Sequence, residues 1–172
     1  MTAHTFVLPD RTPTVTRRAR HQDFAAVQDL YRRSSSASRH ARHLTAKPTL
    51  READWHHLTD PDRAPTWLTH AASDPGTVIA ATSMVTHLRD HHAHDLGLLI
   101  DDAWQSRSLG TALVRGAVHR AHARGARTVT ATVHAGNRRM RRILHHLGAR
   151  AAHTHGGLLE LTLHLPVPEE DH

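Results

Sequence analysis

The chain has no cysteine among its 172 residues. That excludes a disulfide framework, a cysteine-ligated zinc site and a thiol nucleophile, and leaves any catalysis to oxygen and nitrogen groups. It also fits a cytoplasmic setting. Aromatic residues amount to 3%, thin for a surface that stacks nucleic-acid bases. Long apolar runs are missing as well. The densest is Leu96-Gly97-Leu98-Leu99-Ile100, far short of the roughly 20 residues a membrane helix needs. The opening Met1-Thr2-Ala3-His4-Thr5-Phe6-Val7-Leu8-Pro9 has neither the basic start nor the apolar stretch of a secretory signal, so neither export nor membrane spanning is expected. Lysine occurs once, at Lys47, although Lys and Arg together number 22.

What is present describes one globular domain. Hydrophobic residues make up 38% and charged residues 22%, enough apolar surface to build a core and too much for a disordered chain. The length fits a single core. The formal net charge of +6 admits an anionic partner, but the arginines are scattered, so nucleic acid is the weakest of the function classes considered. The 20 histidines sit mostly as pairs on polar stretches and read as compositional drift.

Periodicity orders the elements. Residues 1–12 and the Pro-rich, acidic residues 166–172 read as loose termini around a domain at 13–165. Residues 14–19 suit a strand, and Phe24, Val27, Leu30 and Tyr31 recur at helical spacing to about residue 33. Ser34-Ser35-Ser36-Ala37-Ser38 reads as a loop or helix break. Thr49 with Glu52 reads as a capping box opening a helix toward Thr59. Residues 66–72 and 77–88 flank the turn Ser73-Asp74-Pro75-Gly76 as an antiparallel hairpin, and 95–100 continues the sheet. A helix then carries Leu109, Ala112, Leu113, Ala117 and Ala121 on one face and closes at Gly125. Residues 128–133 form a strand. Asn137 heads a helix with Met140, Ile143, Leu144 and Leu147 inside, and Leu159, Leu161, Leu163 and Leu165 alternate in a last strand. The expected fold is α/β, with a mixed, mostly antiparallel sheet of about six or seven strands and about four helices.

The chemistry concentrates in Asp95-Leu96-Gly97-Leu98-Leu99-Ile100-Asp101-Asp102-Ala103-Trp104-Gln105-Ser106-Arg107-Ser108-Leu109-Gly110-Thr111. A strand feeding a small-residue loop that opens a helix aims backbone N–H groups and the positive helix end at one point, which suits a pyrophosphate. Arg107 adds a guanidinium able to grip phosphate. The loop lacks the Lys and spacing of a nucleoside-triphosphate loop and the triple Gly of a dinucleotide fingerprint. Trp104 reads as a packing anchor.

Gln105-Ser106-Arg107-Ser108-Leu109-Gly110 resembles the signature of the GNAT superfamily of acyl-CoA-dependent N-acyltransferases: Gln or Arg, two residues, Gly, one residue, Gly or Ala. Ser108 stands where the first Gly is usual. Asp102-Ala103-Trp104, Thr111-Ala112-Leu113 and Asn137 before a helix ending in Leu147-Gly148 also resemble that family, and the element order agrees over about residues 14 to 165. Ser38-Arg39-His40-Ala41-Arg42, Lys47-Pro48-Thr49-Leu50 and Leu58-Thr59-Asp60 loosely resemble the catalytic domain of bacterial protein-lysine acetyltransferases. The resemblance implies acetyl-CoA as co-substrate and a primary amine, a protein lysine or a small molecule, as acceptor. It implies a splayed strand at Leu98, Leu99 and Ile100 for the pantetheine arm. The cofactor loop would comprise Gln105, Ser106, Arg107, Ser108, Leu109, Gly110 and Thr111, with Asn137 touching the arm or simply capping its helix. Relatives often dimerise, so a homodimer is also expected.

Acyl transfer needs a neutral amine, a polarised carbonyl and a proton for the leaving thiolate. Presenting a lysine amine neutral at pH 7 costs roughly 4 to 5 kcal/mol, because its pKa is about 10.4. In the protein-acetylating branch a Glu on the strand before the acyl site serves as base, and Asp95 occupies the matching place, reaching the amine through water. The backbone N–H of Leu98 or Leu99 would polarise the carbonyl. Many relatives protonate the thiolate with a Tyr whose place here is held by Leu144, and Tyr31 is the only tyrosine, so the acid is water, Tyr31 or unassigned. Arg138, Arg139, Arg141 and Arg142 read first as a solvated helix face, with an acidic partner or the cofactor's phosphates as the alternative. His91, His92 and His94 are auxiliary-base candidates, and no metal site is expected. A catalytically degenerate acyl-CoA-binding module is the alternative reading, motivated by Ser108.

Overall fold

The computed structural model describes residues 3–44 and 49–166. Lys47, Pro48 and residues 167–172, which entered the expectations above, lie outside them. The chain runs β1 (His4–Val7), β2 (Pro13–Arg18), α1 (Phe24–Arg33), α2 (Ser36–His43), α3 (Glu52–Leu58), β3 (Thr66–Ala71), β4 (Ala80–Thr86) and β5 (Ala93–Ile100). It continues through α4 (Leu109–His122), β6 (Thr128–His134), α5 (Arg138–His146), β7 (Arg150–His155) and β8 (Leu158–His164). One sheet orders the strands β1-β2-β3-β4-β5-β6-β8-β7. Every neighbouring pair is antiparallel except β5 with β6, the two strands joined by the α4 crossover.

The mixed, mostly antiparallel α/β class is as expected, with eight strands and five helices among the described residues. The extra pieces share one physical cause. At β1, within the stretch expected to be loose, a short edge strand pairs with β2. All six residues of β7 are exposed, so no apolar alternation betrays it. At α2 the buried stripe is absent too. Its sequence Ser-Ala-Ser-Arg-His-Ala-Arg-His is held by polar side chains, and its start is capped by Ser35, whose hydroxyl accepts from the Ser38 N–H at 3.2 Å. The capping box expected at Thr49 does not form. Helix α3 starts after Arg51, which pairs with Asp54 through two hydrogen bonds of 3.0 and 2.8 Å.

The sheet is covered on both faces. Leu113, Val114, Ala117 and Ala121 of α4 and Leu144 of α5 pack on one face with Leu96, Val129, Ala131 and Val133. On the other, Val27, Leu30 and Tyr31 of α1 and Trp55 of α3 pack with Leu68 and Leu99. Side-chain alternation along β5 therefore sends Leu96, Leu98 and Ile100 toward α4, and Asp95, Gly97 and Leu99 toward α1 and α2.

Candidate active site

Strands β5 and β6 pair only at residues 93–95 against 128–130. Past that point they part. Residues 96–100 remain bonded to β4 and residues 131–134 to β8, so each strand turns one row of backbone N–H and C=O groups into the gap. The gap is a cleft of about 880 Å³. Leu96 through Ile100 form one wall and Thr132, Val133 and His134 the other, with the loop before α4 and the start of α5 at the mouth and α2 across it.

The loop is fixed from below. Buried Asp101 accepts from the Ala103 N–H at 3.1 Å and from Arg33 Nε at 2.9 Å. The Gln105 amide donates to Ile100 O at 3.1 Å, Asp102 Oδ1 at 3.0 Å and Ser38 Oγ at 2.9 Å, while its carbonyl accepts from Arg139 at 2.9 Å. Asp102 also accepts from the Ser35 N–H and the Ser38 hydroxyl, both at 2.5 Å. One glutamine and one aspartate thus tie the loop to α2, and the glutamine reaches α5. These contacts hold the Asp102 carboxyl below its ordinary range against a burial effect of opposite sign.

Ser106 and Ser108 take left-handed backbone, φ 61° and 66°, a conformation that costs a side-chain-bearing residue about 1 kcal/mol. No side chain caps α4. The first N–H to reach back to Ser108 O is that of Ala112, at 3.2 Å, which leaves the N–H groups of Leu109, Gly110 and Thr111 without an intrahelical acceptor. Gly110 lies against Ile143, Ile100 and Leu98, where an added Cβ would sit 3.3, 3.4 and 3.9 Å away.

Of the residues singled out from the sequence, Leu98, Leu99, Ile100, Gln105, Ser106, Ser108, Gly110, Thr111 and Asn137 line the cleft. Leu109 does not. It is buried in the core with Leu8 and Leu113 and offers only its N–H. Arg107 turns away, bonded to Asp10 Oδ2 at 2.6 Å and Thr12 Oγ1 at 2.9 Å and stacked 4.3 Å from the Trp104 ring centroid. These contacts hold the Asp10 carboxyl at about 2. Asn137 caps α5, its Oδ1 accepting from the Met140 N–H at 3.1 Å. Arg138, Arg139 and Arg142 are exposed, as expected of a solvated face, and also line the mouth, while Arg141 bonds Ala135 O at 2.7 Å.

Asp95 is not among the residues that line the cleft; it stands one residue before its wall begins at Leu96, in the last paired register with Thr130, whose hydroxyl donates to Asp95 Oδ1 at 3.4 Å. Burial pushes its carboxyl above the ordinary carboxylate value, opposed by the charge of Arg42 and by Thr130. Leu144 is buried in the core. The Tyr31 hydroxyl is 2.5 Å from His43 Nε2, outside the cleft lining, and burial raises its pKa. His94 is buried, with Nδ1 3.3 Å from Thr86 Oγ1, and burial lowers its pKa; His92 Nδ1 bonds Gly125 O at 2.9 Å. None of His91, His92 and His94 lines the cleft.

Three residues that sequence reasoning passed over stand in the cleft. The Arg42 guanidinium lies over Gly97, where an added Cβ would overlap it, and donates to Ser83 Oγ at 2.8 Å. His40 of α2 meets His134 at the end of β6, with Nε2 to Nε2 at 2.7 Å and ring centroids 4.7 Å apart. The local signals for the α2 members were the loose family resemblance of residues 38–42, which carried no role for His40 or Arg42, and a serine, Ser35, able to cap the helix. For a cation site, the described residues bring together only His21, Glu52 and His56, all exposed and outside the cleft lining. Those two imidazoles stack at 3.7 Å and 22°, so their in-plane lone pairs run side by side rather than converge.

The family model for the acetyltransferase (GNAT) family matches residues 24–149. Among solved structures, the GNAT domain of S. lividans PAT superposes with a TM-score of 0.85 at 21% identity, covering 95% of this chain and 97% of that one. A putative phosphinothricin N-acetyltransferase gives 0.74 at 21%, over 89% and 99%. The putative acetyltransferase yncA from Salmonella typhimurium, solved with acetyl-CoA, gives 0.70 at 19%, over 89% and 94%. No curated protein matches this chain.

Proposed function

Because the chain belongs to the GNAT acetyltransferase family, we propose that it moves an acetyl group from acetyl-CoA directly to a primary amine. The observation that carries this reading is the splay of β5 from β6 beside the uncapped start of α4. The cleft fits acetyl-CoA on its own features. Unpaired strand groups at Leu98 and Ile100 can bond the amides of a pantetheine arm, whereas the expected Leu99 turns its backbone to Ala81 of β4 and lends only its place in the lining, and the free N–H groups of Leu109, Gly110 and Thr111 can hold a pyrophosphate. Arg138, Arg139 and Arg142 supply cations at the mouth. Asn137, though it caps α5, keeps a place in the lining. Arg107 reaches phosphate only by leaving Asp10.

On the acceptor side, Asp95 faces the same way as Gly97 and Leu99. Its carboxylate takes the amine proton through water, and its raised pKa makes it a stronger base than an ordinary carboxylate. The N–H of Leu98 polarises the carbonyl, since that of Leu99 is turned to Ala81 of β4. Asp95→Asn is expected to lower turnover by about 10²-fold or more, most severely at low pH, where neutral amine is scarce, with acetyl-CoA affinity almost unchanged. Calorimetry with acetyl-CoA plus thiol release across an amine panel tests both halves. Wild-type turnover in Asp95→Asn across the pH profile removes Asp95 as base.

A second reading, an acyl-CoA-binding module without turnover, is favoured by Ser108 and by buried Leu144 where relatives carry an acid. Tight acetyl-CoA binding with no thiol release for any amine would select it. The expected cytoplasmic setting and homodimer belong to the same proposal, and sedimentation decides the dimer.

A further inference from the structure

Resting on the acetyl-transfer reading, we infer that the His40–His134 pair is the proton source for the leaving thiolate, with His134 the donor and His40 the residue that holds it. The two Nε2 atoms are 2.7 Å apart, so one ring nitrogen carries a hydrogen and the other presents its lone pair. Both rings line the cleft. Continuing the parallel register of Asp95 with Thr130 sets His134 opposite Leu99, and alternation along β6 turns Thr130, Thr132 and His134 to the face that Asp95, Gly97 and Leu99 share. The ring therefore stands across the splay from the strand residues assigned to the thioester. Tyr31 is bonded to His43 outside the lining, and Leu144, in the core at the place of the usual acid, has no proton to give, so water is the competing source.

The step balances as follows. The amine nitrogen bonds to the acetyl carbon and the carbon–sulfur bond breaks, its electron pair leaving on sulfur. Water-linked Asp95 receives the proton lost by nitrogen. In the form bearing one proton beyond neutrality, His134 keeps its Nε2 in the bond to His40 and gives the proton on its Nδ1 to sulfur, so a neutral, still hydrogen-bonded pair and a free thiol remain. Exchange with solvent restores both groups. No oxidant, reductant or metal is needed. The charged groups that share the cleft lining with the pair are Arg42 on α2 and Arg138, Arg139 and Arg142 on α5; Asp95 on β5 and Glu160 on β8 stand outside that lining, in register with Thr130 and Thr132.

The test uses the full chain, acetyl-CoA and the best amine found in the panel. Wild-type turnover should fall as pH rises and the pair loses its extra proton. His134→Gln should lower kcat by at least about tenfold, leave acetyl-CoA affinity within about twofold, and remove that alkaline limb. His40→Gln should displace the limb along the pH axis with a smaller loss. Imidazole added to His134→Ala should restore turnover, which a packing role would not allow. Should His134→Gln perturb folding, the His40→Gln pH profile and the imidazole rescue carry the decision. Wild-type kcat with an unchanged alkaline limb in folded His134→Gln overturns this inference alone. Absence of thiol release from the wild-type chain overturns the acetyl-transfer reading, and this one with it.

Discussion

Two strand-turn-helix corners meet at the cleft, β5 into α4 and β6 into α5, and their helices begin in opposite ways. At α5, Asn137 supplies its own side-chain acceptor and closes the first turn. At α4 nothing does. Ser108 sits in left-handed backbone with no side-chain cap, and the free N–H groups face the cleft. The closed corner satisfies itself and owes its place to the core beneath Leu144. The open corner keeps both an unmet hydrogen-bonding demand and a backbone cost, which is how strain is stored where a ligand is to be received. Arginines gather at the closed corner, beside the open one, so charge and donors come from different helices.

Filling the open corner should have the largest effect. Gly110→Val would push against Ile143 and Ile100, costing about 1 to 3 kcal/mol in packing, and should weaken acetyl-CoA binding by about 100-fold or more, equivalent to about 2.7 kcal/mol. Calorimetry on the folded variant reads it, and unchanged affinity would put the phosphates elsewhere. Next come two changes of opposite sign. Asn137→Ala uncaps α5 and should cost about 1 kcal/mol. Ser108→Gly relieves the left-handed strain and should gain about 0.5 to 1 kcal/mol after the entropy of glycine is set against it. Urea midpoints at constant slope measure both. If Ser108→Gly also weakens acetyl-CoA binding, its hydroxyl is part of the site.

The smallest effect concerns the tether beside the open corner. Asp10 is held at about 2 against an ordinary 3.8, so its pairing with Arg107 stabilises the fold above about pH 4. That contribution is lost as pH falls from 4 toward 2. The difference in melting temperature between the wild type and Asp10→Asn should be constant above that window and vanish below it. A difference that persisted at pH 2 would show that Asp10 acts through packing.

The two corners were also the parts most readable in the sequence, because each is local: an apolar strand, small residues, then a helical stripe. Spacing placed Leu98 and Ile100 in a strand, Gly110 at a helix start and Asn137 at a cap, while their parts in the site came from the family resemblance. The pieces that complete the site are set by contacts across long separations, 97 residues from Asp10 to Arg107 and 94 from His40 to His134, which periodicity cannot register. Helix α2 shows the reason most plainly. Without an apolar stripe it resembles a polar loop, and it is positioned by Ser38 on Gln105, Arg42 on Ser83 and His40 on His134. Arg107 taught the converse. Its type and place suited phosphate, yet its nearest acid was hidden in the turn after β1.

The short seam of β5 with β6 has a mechanical meaning. The sheet is a book of two leaves, strands one to five and strands six to eight, sewn together by three residues of each and backed by α4. A thread laid along the open margin, with amides spaced like a peptide's, would lengthen the stitching without adding a strand. Occupancy should then stiffen the whole book, slowing amide hydrogen exchange in both margins at once, including pages that the thread never touches.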